Sequence, residues 1–448
     1  MLKYFIQAGV CVWFVISGMR SEAQNPLIRD QFSADPSARV FGNKVYLFPS
    51  HDILAGESRG RVGWFCMEDY HVFSSENLTD WTDHGVIVVQ NKVPWVKPDS
   101  YSMWAPDCIE RNGKYYFYFP STARDTSLGR GFTIGVAIAS KPEGPYAPLP
   151  EPVKNVRGID PNVFIDKDGQ AYLYWSQGNI YGAKLKDNMV ELASAPVILQ
   201  HLPEKGLKEG PYLFERNGIY YMTYPHVENK IERLEYATGD HPLGPFKKTG
   251  VLMDESATGC WTNHHSVIRF KDQWYLFYHH NDYSPSFDKA RSVRADSLFF
   301  NPDGTIQKVN PTYRGIGITG ARSKIQVDRY SRISNSGVSI DFLDTASRFS
   351  GWKVVFDAAD AWVQYNSVDF GKQSLRWARV RALAPEGGTL QIRIQDAAGP
   401  LLAELPLVAD NQWQSVKLPL TKYKPGVQHL FVVSKDKSRV AVDWVDFE

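Results

Sequence analysis

An all-β chain, a five-bladed β-propeller followed by a β-sandwich of jelly-roll type, is the fold class that three observations predict. A turn-like dipeptide leading into an aromatic, alternating strand recurs five times; no long 3.6-residue period interrupts the recurrences; and from about Ile325 the pattern changes to short alternating strands. The recurrences are GNKVYLFPS from Gly42, NGKYYFYFPS from Asn112, DGQAYLYWSQ from Asp168, NGIYYMTYPH from Asn217 and KDQWYLFYHH from Lys271. Their tyrosines Tyr46, Tyr116, Tyr172, Tyr221 and Tyr275 stand 70, 56, 49 and 54 residues apart, the spacing of four-stranded blades with variable loops. The Asn-Gly and Asp-Gly pairs act as hairpin turns because these residues accept positive φ.

A chain of 448 residues exceeds what one core usually supports, so two domains are expected. The propeller is assigned to residues 25–322 and the sandwich to 325–448. The first residues, with Lys3, an apolar run from Tyr4 to Ile16 and small residues ending at Ala23, form a signal peptide over 1–23, so an exported protein is expected. No other stretch has the length to span a bilayer. Fifty basic residues balance forty-nine acidic ones, which excludes a nucleic-acid partner and leaves an ordinary soluble domain, expected to be a monomer. The mature chain keeps Cys66, Cys108 and Cys260, an odd number without zinc-ligand spacing; one disulfide with a spare thiol and three buried thiols both fit.

The strand before each reference tyrosine begins with Asp35-Pro36, Trp104-Ala105-Pro106-Asp107, Asp160-Pro161, Glu209-Gly210-Pro211 and Asn263-His264. Equivalent strand starts in a propeller converge at one end of the channel, so carboxylates scattered along the chain become neighbours. Taken singly, Asp-Pro and Gly-Pro are ordinary turn chemistry; their common phase with the repeat points to a site. Glycosidic cleavage needs a protonated acid for the leaving oxygen and a carboxylate that attacks or activates water, and inverting enzymes hold the two roughly 6.5–9.5 Å apart. A third carboxylate raises the acid's affinity for its proton by repulsion.

This constellation resembles glycoside hydrolase family 43 over about residues 25 to 320. The resemblance implies Asp35 (in SADPSARVF) as general base, Glu209 (in KEGPYLF) as general acid, and Asp160 (in GIDPNVF) as the residue that tunes and orients the acid. It implies that Trp104 stacks on the sugar, that Asp107 is structural, and that His264 in GCWTNHHSVIRF coordinates a channel calcium largely through waters, with Asn263 where relatives have Gly. Arg291 corresponds to an Arg that reaches the channel. Further substrate contacts are proposed for His226 and Trp261, with His51, Asp52 and Trp64 as other pocket positions.

The segments after Ile325 are similar to carbohydrate-binding module family 6. That similarity implies a structural calcium at Asp443 with Gln326 or Asp328, where Gln326 replaces a usual Glu, and names Trp352, Trp362 and Trp413 for sugar stacking, at least two of which are expected in the core. The implied function is an inverting, exo-acting α-L-arabinofuranosidase, with β-xylosidase activity beside it, acting on plant arabinoxylan, arabinan or arabinogalactan. Galactofuranosidase and galactanase activities belong to the same family, and a non-catalytic glycan-binding propeller is the alternative from another class. Galactan-cleaving relatives often lack the first-blade base, which Asp35 supplies here.

Overall fold

The computed structural model describes residues 25–128, 131–281, 284, 286–344 and 352–448, so the expected signal peptide lies outside the described residues. The first domain is a ring of five antiparallel sheets. Four have four strands each, beginning with Phe32–Phe41, Asp107–Arg111, Ile159–Ile165 and Tyr212–Arg216; the fifth has three, Ser266–Phe270, Gln273–His280 and Ser292–Leu298. Those first strands touch one another in succession and the fifth returns to the first, which makes the domain a β-propeller with its first strands around the channel. The N-terminal segment closes the ring. Leu27 N–H donates to the Val293 carbonyl in the last strand of the fifth sheet, and the buried Asn25 amide bonds the carbonyls of Ala295 and Thr312.

Apolar side chains on the two faces of each sheet fill the spaces between blades. Tyr46, Phe48 and Tyr70 of the first blade pack on Phe117 and Phe119 of the second, and Leu47 and Phe73 pack on Phe277 and Val293 of the fifth. Polar links run underneath. Asp107, the first residue of the second blade's inner strand, accepts from Ser37 Oγ (2.6 Å), Arg39 Nε (2.9 Å) and Val163 N–H (2.7 Å), with Arg39 Nη2 on its second oxygen, so it joins three blades. It is structural, as the sequence suggested. Cys66, Cys108 and Cys260 are all buried and form no disulfide among the described residues, which selects the second of the two arrangements open at the sequence level.

The second domain is a sandwich of two sheets enclosing a core that includes Val327, Phe356, Tyr365, Ile392, Leu405 and Val442. Thr319–Gly320 already pairs in parallel with Trp362–Asp369, while Ile316 still packs on the propeller. The change of domain therefore falls a few residues before 322. Trp352, Trp362 and Trp413 are all partly exposed and outside the core between the sheets, which corrects the expectation that two of them pack inside. Trp362 meets Phe431 edge-on and Arg381 lies 4.8 Å over Trp413.

Asp107→Ala removes one partner of a buried ion pair and leaves Arg39 uncompensated, so it is expected to cost about 3–5 kcal/mol of propeller stability, read as a lower denaturant midpoint. An unchanged midpoint would show that the inter-blade links are dispensable.

Candidate active site

Asp35 and Asp160 reach the channel mouth through the same local device. In each case the register against the next strand slips by one residue, between Ala34 and Ser37 in the first blade and between Ile159 and Asn162 in the third, so each Asp-Pro is a β-bulge. Both aspartates adopt left-handed backbone, φ +47° and +58°. Asp accepts that region better than most residues, but a position before proline favours extended backbone, so the bulges hold local strain. In the fourth blade the left-handed residue is Gly210 (φ +53°), and the carboxylate is carried one position earlier, on Glu209.

The three carboxylates line one cavity of about 200 Å³ together with Trp64, Trp104 and Trp261. A second cavity, about 280 Å³, shares Ile159, Leu207 and Glu209 with the first and continues between Phe132 and Gln177. Asp35 is buried and fully held. Its oxygens accept from Ser50 Oγ (2.7 Å) and from both terminal nitrogens of Arg291 (2.8 and 3.2 Å). Burial pushes its carboxyl up, but the Arg291 guanidinium outweighs burial and brings it down to about 2. The Asp35 N–H donates to His279 Nδ1 (3.0 Å), and burial, with Arg291, lowers His279 to about 3. His279 is therefore the neutral tautomer with its proton on Nε2, facing Thr262.

Arg291 lines the cavity as expected, yet its donors face inward. Nε donates to Asp52 Oδ2 (2.8 Å), Nη2 to Asp52 Oδ1 (2.9 Å) and to Asp35, and Nη1 to Asp35 and Thr262 Oγ1 (3.3 Å). All five N–H groups of the guanidinium are taken, so none is left for a sugar hydroxyl. Asp52 thus serves the site through Arg291.

Asp160 accepts the Gly210 N–H (2.9 Å), which ties it to the backbone next to Glu209. Burial, then the charges of Glu209 and Asp35, hold its carboxyl well above the usual range. Glu209 is also raised, first by burial and then by Asp35. Asp160 and Glu209 repel each other, and Asp160 is tied to the backbone beside Glu209 through the Gly210 amide. Trp104 packs 4.4 Å from Phe132, and its buried indole N–H has no partner.

His226 does not line the cavity. Successive side chains of a strand face opposite ways, and Pro225 takes the cavity side. His226 Nε2 instead donates to the Lys205 carbonyl (2.9 Å), and Nδ1 lies 3.1 Å from Glu235. His51 is likewise outside, paired with Asp69 at 2.7 Å. Residues that sequence reasoning passed over are Ser50, Phe65, Thr262, His279 and the buried Glu232. Of these, Ser50 and His279 hold the same position in their repeated strands, four residues after the reference tyrosine, where they could have been found.

His264 lines the cavity with Nδ1 4.0 Å from Asp160, and burial lowers its pKa. Beside it, both polar atoms of the buried Asn263 amide and Nδ1 of His265 have no partner. The Thr223 hydroxyl gives its proton to the Tyr212 carbonyl, so it accepts from His265 Nε2 and leaves His265 Nδ1 a bare acceptor. Asn263, His264 and His265 therefore fit a hydrated hard cation. The sandwich set fits less well. Asp443 is bound by Arg381, Asp328 lies 3.4 Å from Arg329, and burial raises Asp328 to about 6, so both acids already face a guanidinium. Gln326 brings no charge. Among the described residues His51, Asp69 and His71 also come within metal-ligand reach of one another, but Asp69 matches His51 and Asp83 matches His71.

The profile of Glycosyl hydrolases family 43 matches residues 23–306, and that of Carbohydrate binding module (family 6) matches 331–448. The chain is 36% identical to a xylosidase/arabinosidase of Humicola insolens over 64% of this chain and 99% of that protein. It is 26% identical to an arabinoxylan arabinofuranohydrolase of Bacillus subtilis over 95% of this chain and 96% of the relative, both domains included. A solved β-xylosidase/α-arabinofuranosidase from a compost microbial metagenome, in complex with xylotriose, superposes with a TM-score of 0.57 at 32% identity, covering 65% of this chain and 98% of that one.

Because its pKa is depressed, Asp35 contributes stability that is fully present above its ordinary value of 3.8 and is lost as pH falls through about 2. Arg291→Met strands Asp35 and Asp52, so the variant is expected to lose about 3–5 kcal/mol near neutral pH. The loss should shrink near pH 4, as the stranded Asp35 carboxylate takes up a proton. Denaturant midpoints at both pH values check this, and a pH-independent loss would leave packing as the sole role of Arg291.

Proposed function

Because this chain belongs to glycosyl hydrolases family 43, and is therefore a glycosidase, we propose that it is an exported, exo-acting enzyme that releases α-L-arabinofuranosyl units, and β-D-xylosyl units beside them, from arabinoxylan with inversion. The observation that carries this reading is the meeting of Asp35, Asp160 and Glu209 in one small cavity walled by tryptophans. A compact cavity of this size suits a single terminal pentose better than a threaded polymer. Tryptophan faces suit the C–H face of its ring.

In this mechanism Asp35, kept ionised by Arg291, takes a proton from water as the water attacks the anomeric carbon. Glu209, whose hold on its proton burial and the Asp35 charge strengthen, gives that proton to the departing oxygen, whose bond to the anomeric carbon breaks. Asp160 orients Glu209 through the Gly210 amide. The second cavity lies past Glu209, on the side where a leaving xylan chain can be received. A calcium ion at Asn263, His264 and His265, when bound, supplies fixed positive charge near the acidic cluster. The binding module raises the local concentration of enzyme at the polymer.

Hydrolysis of aryl α-L-arabinofuranoside, β-D-xyloside and β-D-galactofuranoside, with the first-formed anomer followed by NMR, tests the reading. Release of arabinose or xylose with inverted configuration is expected, and Glu209→Gln and Asp35→Asn should each reduce turnover by about 10²–10⁴-fold with the fold intact. Retained configuration, or full activity of either variant, sinks the mechanism. Sugar binding with no release from any substrate would return the protein to the glycan-binding alternative.

A further inference from the structure

The second cavity, of about 280 Å³, is lined by a cation that the mechanism above does not use. Lys208 is only 5% exposed, and among the described residues its ammonium makes no hydrogen bond or ion pair. A lysine is almost never buried to that degree unless it is paired, because an ammonium taken out of water needs an opposing charge or hydrogen bonds in return. Burial lowers its pKa, and no carboxylate stands close enough to oppose that. The backbone holds Lys208 in place. The Leu207 carbonyl accepts from Val227 N–H (2.9 Å) and Glu209 N–H donates to the Pro225 carbonyl (3.4 Å), so the residues on either side are pinned to the strand Ile219–Val227. Leu207 and Glu209 line both cavities, whereas Lys208 lines the second alone. The rest of that wall is neutral. It includes Ser176, whose hydroxyl is buried without a partner, and Phe132, whose ring packs 4.4 Å from Trp104 of the first cavity. Glu209 is the one carboxyl among its described lining residues, and in the mechanism it carries its proton when substrate binds. The cavity therefore presents a positive charge with no anion to match it.

We propose that Lys208 makes this cavity a subsite for a leaving unit that carries a carboxylate, as a uronic acid does, so that the enzyme prefers pentoses attached to an acidic glycan. The inference rests on the reading of Glu209 as the acid, which puts the leaving oxygen, and the unit it belongs to, on this side of the first cavity. The C–H face of that unit finds the Phe132 ring, and its carboxylate finds the Lys208 ammonium. Lys208 has given up most of its water in the free protein already. An arriving carboxylate therefore meets a cation that is largely desolvated, and the pairing is stronger than between two surface charges. A neutral sugar offers the same ammonium a hydroxyl but no charge, and the charge-assisted bond is the stronger of the two. The subsite thus separates an acid from an alcohol of the same shape. Lys208 acts by binding alone and exchanges no proton in the reaction.

The test uses two oligosaccharides that end in the pentose released from the aryl glycosides. In one the next unit bears glucuronic acid; in the other that carboxyl is reduced to the alcohol. The readout is the ratio of kcat/KM on the acid to kcat/KM on the alcohol, at neutral pH and low salt. The parent enzyme is expected to favour the acid by about ten- to a hundredfold, the worth of one hydrogen bond to a charged group. Lys208→Met, which keeps the length of the side chain and loses its charge, should bring the ratio to parity by slowing the acid. A parent ratio at parity or below, or a Lys208→Met ratio equal to the parent's, overturns the proposal. Equal slowing on both substrates is the second of these outcomes, and it would assign Lys208 to packing or to the new charge on Glu209. Lys208→Gln replaces the Met variant if that one does not fold, and the parent's own ratio needs no variant. A parent inactive on the oligosaccharides and on every aryl glycoside, or indifferent to Glu209→Gln, refutes the glycosidase mechanism itself. An active parent that cleaves neither oligosaccharide, or both equally, refutes only this inference.

Discussion

Around the channel, side chains on and beside the inner strands pass hydrogen bonds from blade to blade. Ser266 accepts from Ala38 N–H, Ser37 donates to Asp107, Asp107 accepts from Val163 N–H, Asn162 accepts from Leu213 N–H, and His265 Nε2 donates to the Thr223 hydroxyl. The five links complete a circuit. A propeller has no single sheet running through it, so the relative placement of blades depends on side chains that cross between them. The active-site residues sit just before these linking positions, at Asp35, Asp160, Glu209 and His264. The circuit that holds the blades together therefore also fixes the distances between groups drawn from different blades.

Charge imposes a second constraint on the same few residues. Five carboxyls, those of Asp35, Asp52, Asp160, Glu209 and Glu232, gather near the Arg291 guanidinium. Arg291 turns its fork to Asp35 and Asp52, and the geometry leaves it nothing for the other three. Burial then keeps Asp160, Glu209 and Glu232 towards their neutral forms. One buried cation thus divides chemically similar groups into a base and a set of acids, a separation that general acid–base catalysis requires.

The sequence made the blades and three carboxylates legible because both obey the repeat. Asp35, Asp160 and Glu209 share a phase with the reference tyrosines, and convergence at a channel mouth follows from the fold. What failed depended on which way a side chain faces. His226 ends a repeated strand, but the alternation that puts Pro225 in the cavity turns His226 away. Arg291 was found, but its neighbours Asp52 and Asp35 consume its donors, which spacing cannot reveal. Glu232 begins a third strand, and nothing distinguishes it from Glu235 three residues on, which faces Arg233 and Lys248. The sandwich tryptophans were misread for the converse reason: an aromatic in a short alternating strand reads as core unless the register of both sheets is known.

Loops and strands divide the work of this site. The base Asp35 stands on an inner strand, the acid Glu209 just before one, and their partners Ser50, Asp52 and His279 on the adjoining strands, whereas Trp64 and Trp261 stand on the loops at 53–66 and 254–262, with 42% and 37% of their surface exposed. Strand-borne groups set how a glycosidic bond is broken; loop-borne rings set which sugar fits against them. Relatives named for xylosidase and for arabinosidase activity share the family, so the catalytic carboxyls do not separate the two sugars. The discriminating contacts must lie on the cavity wall, where one exposed indole moved by a small loop change alters the fit of a pentose without disturbing Asp35, Glu209 or the circuit beneath them.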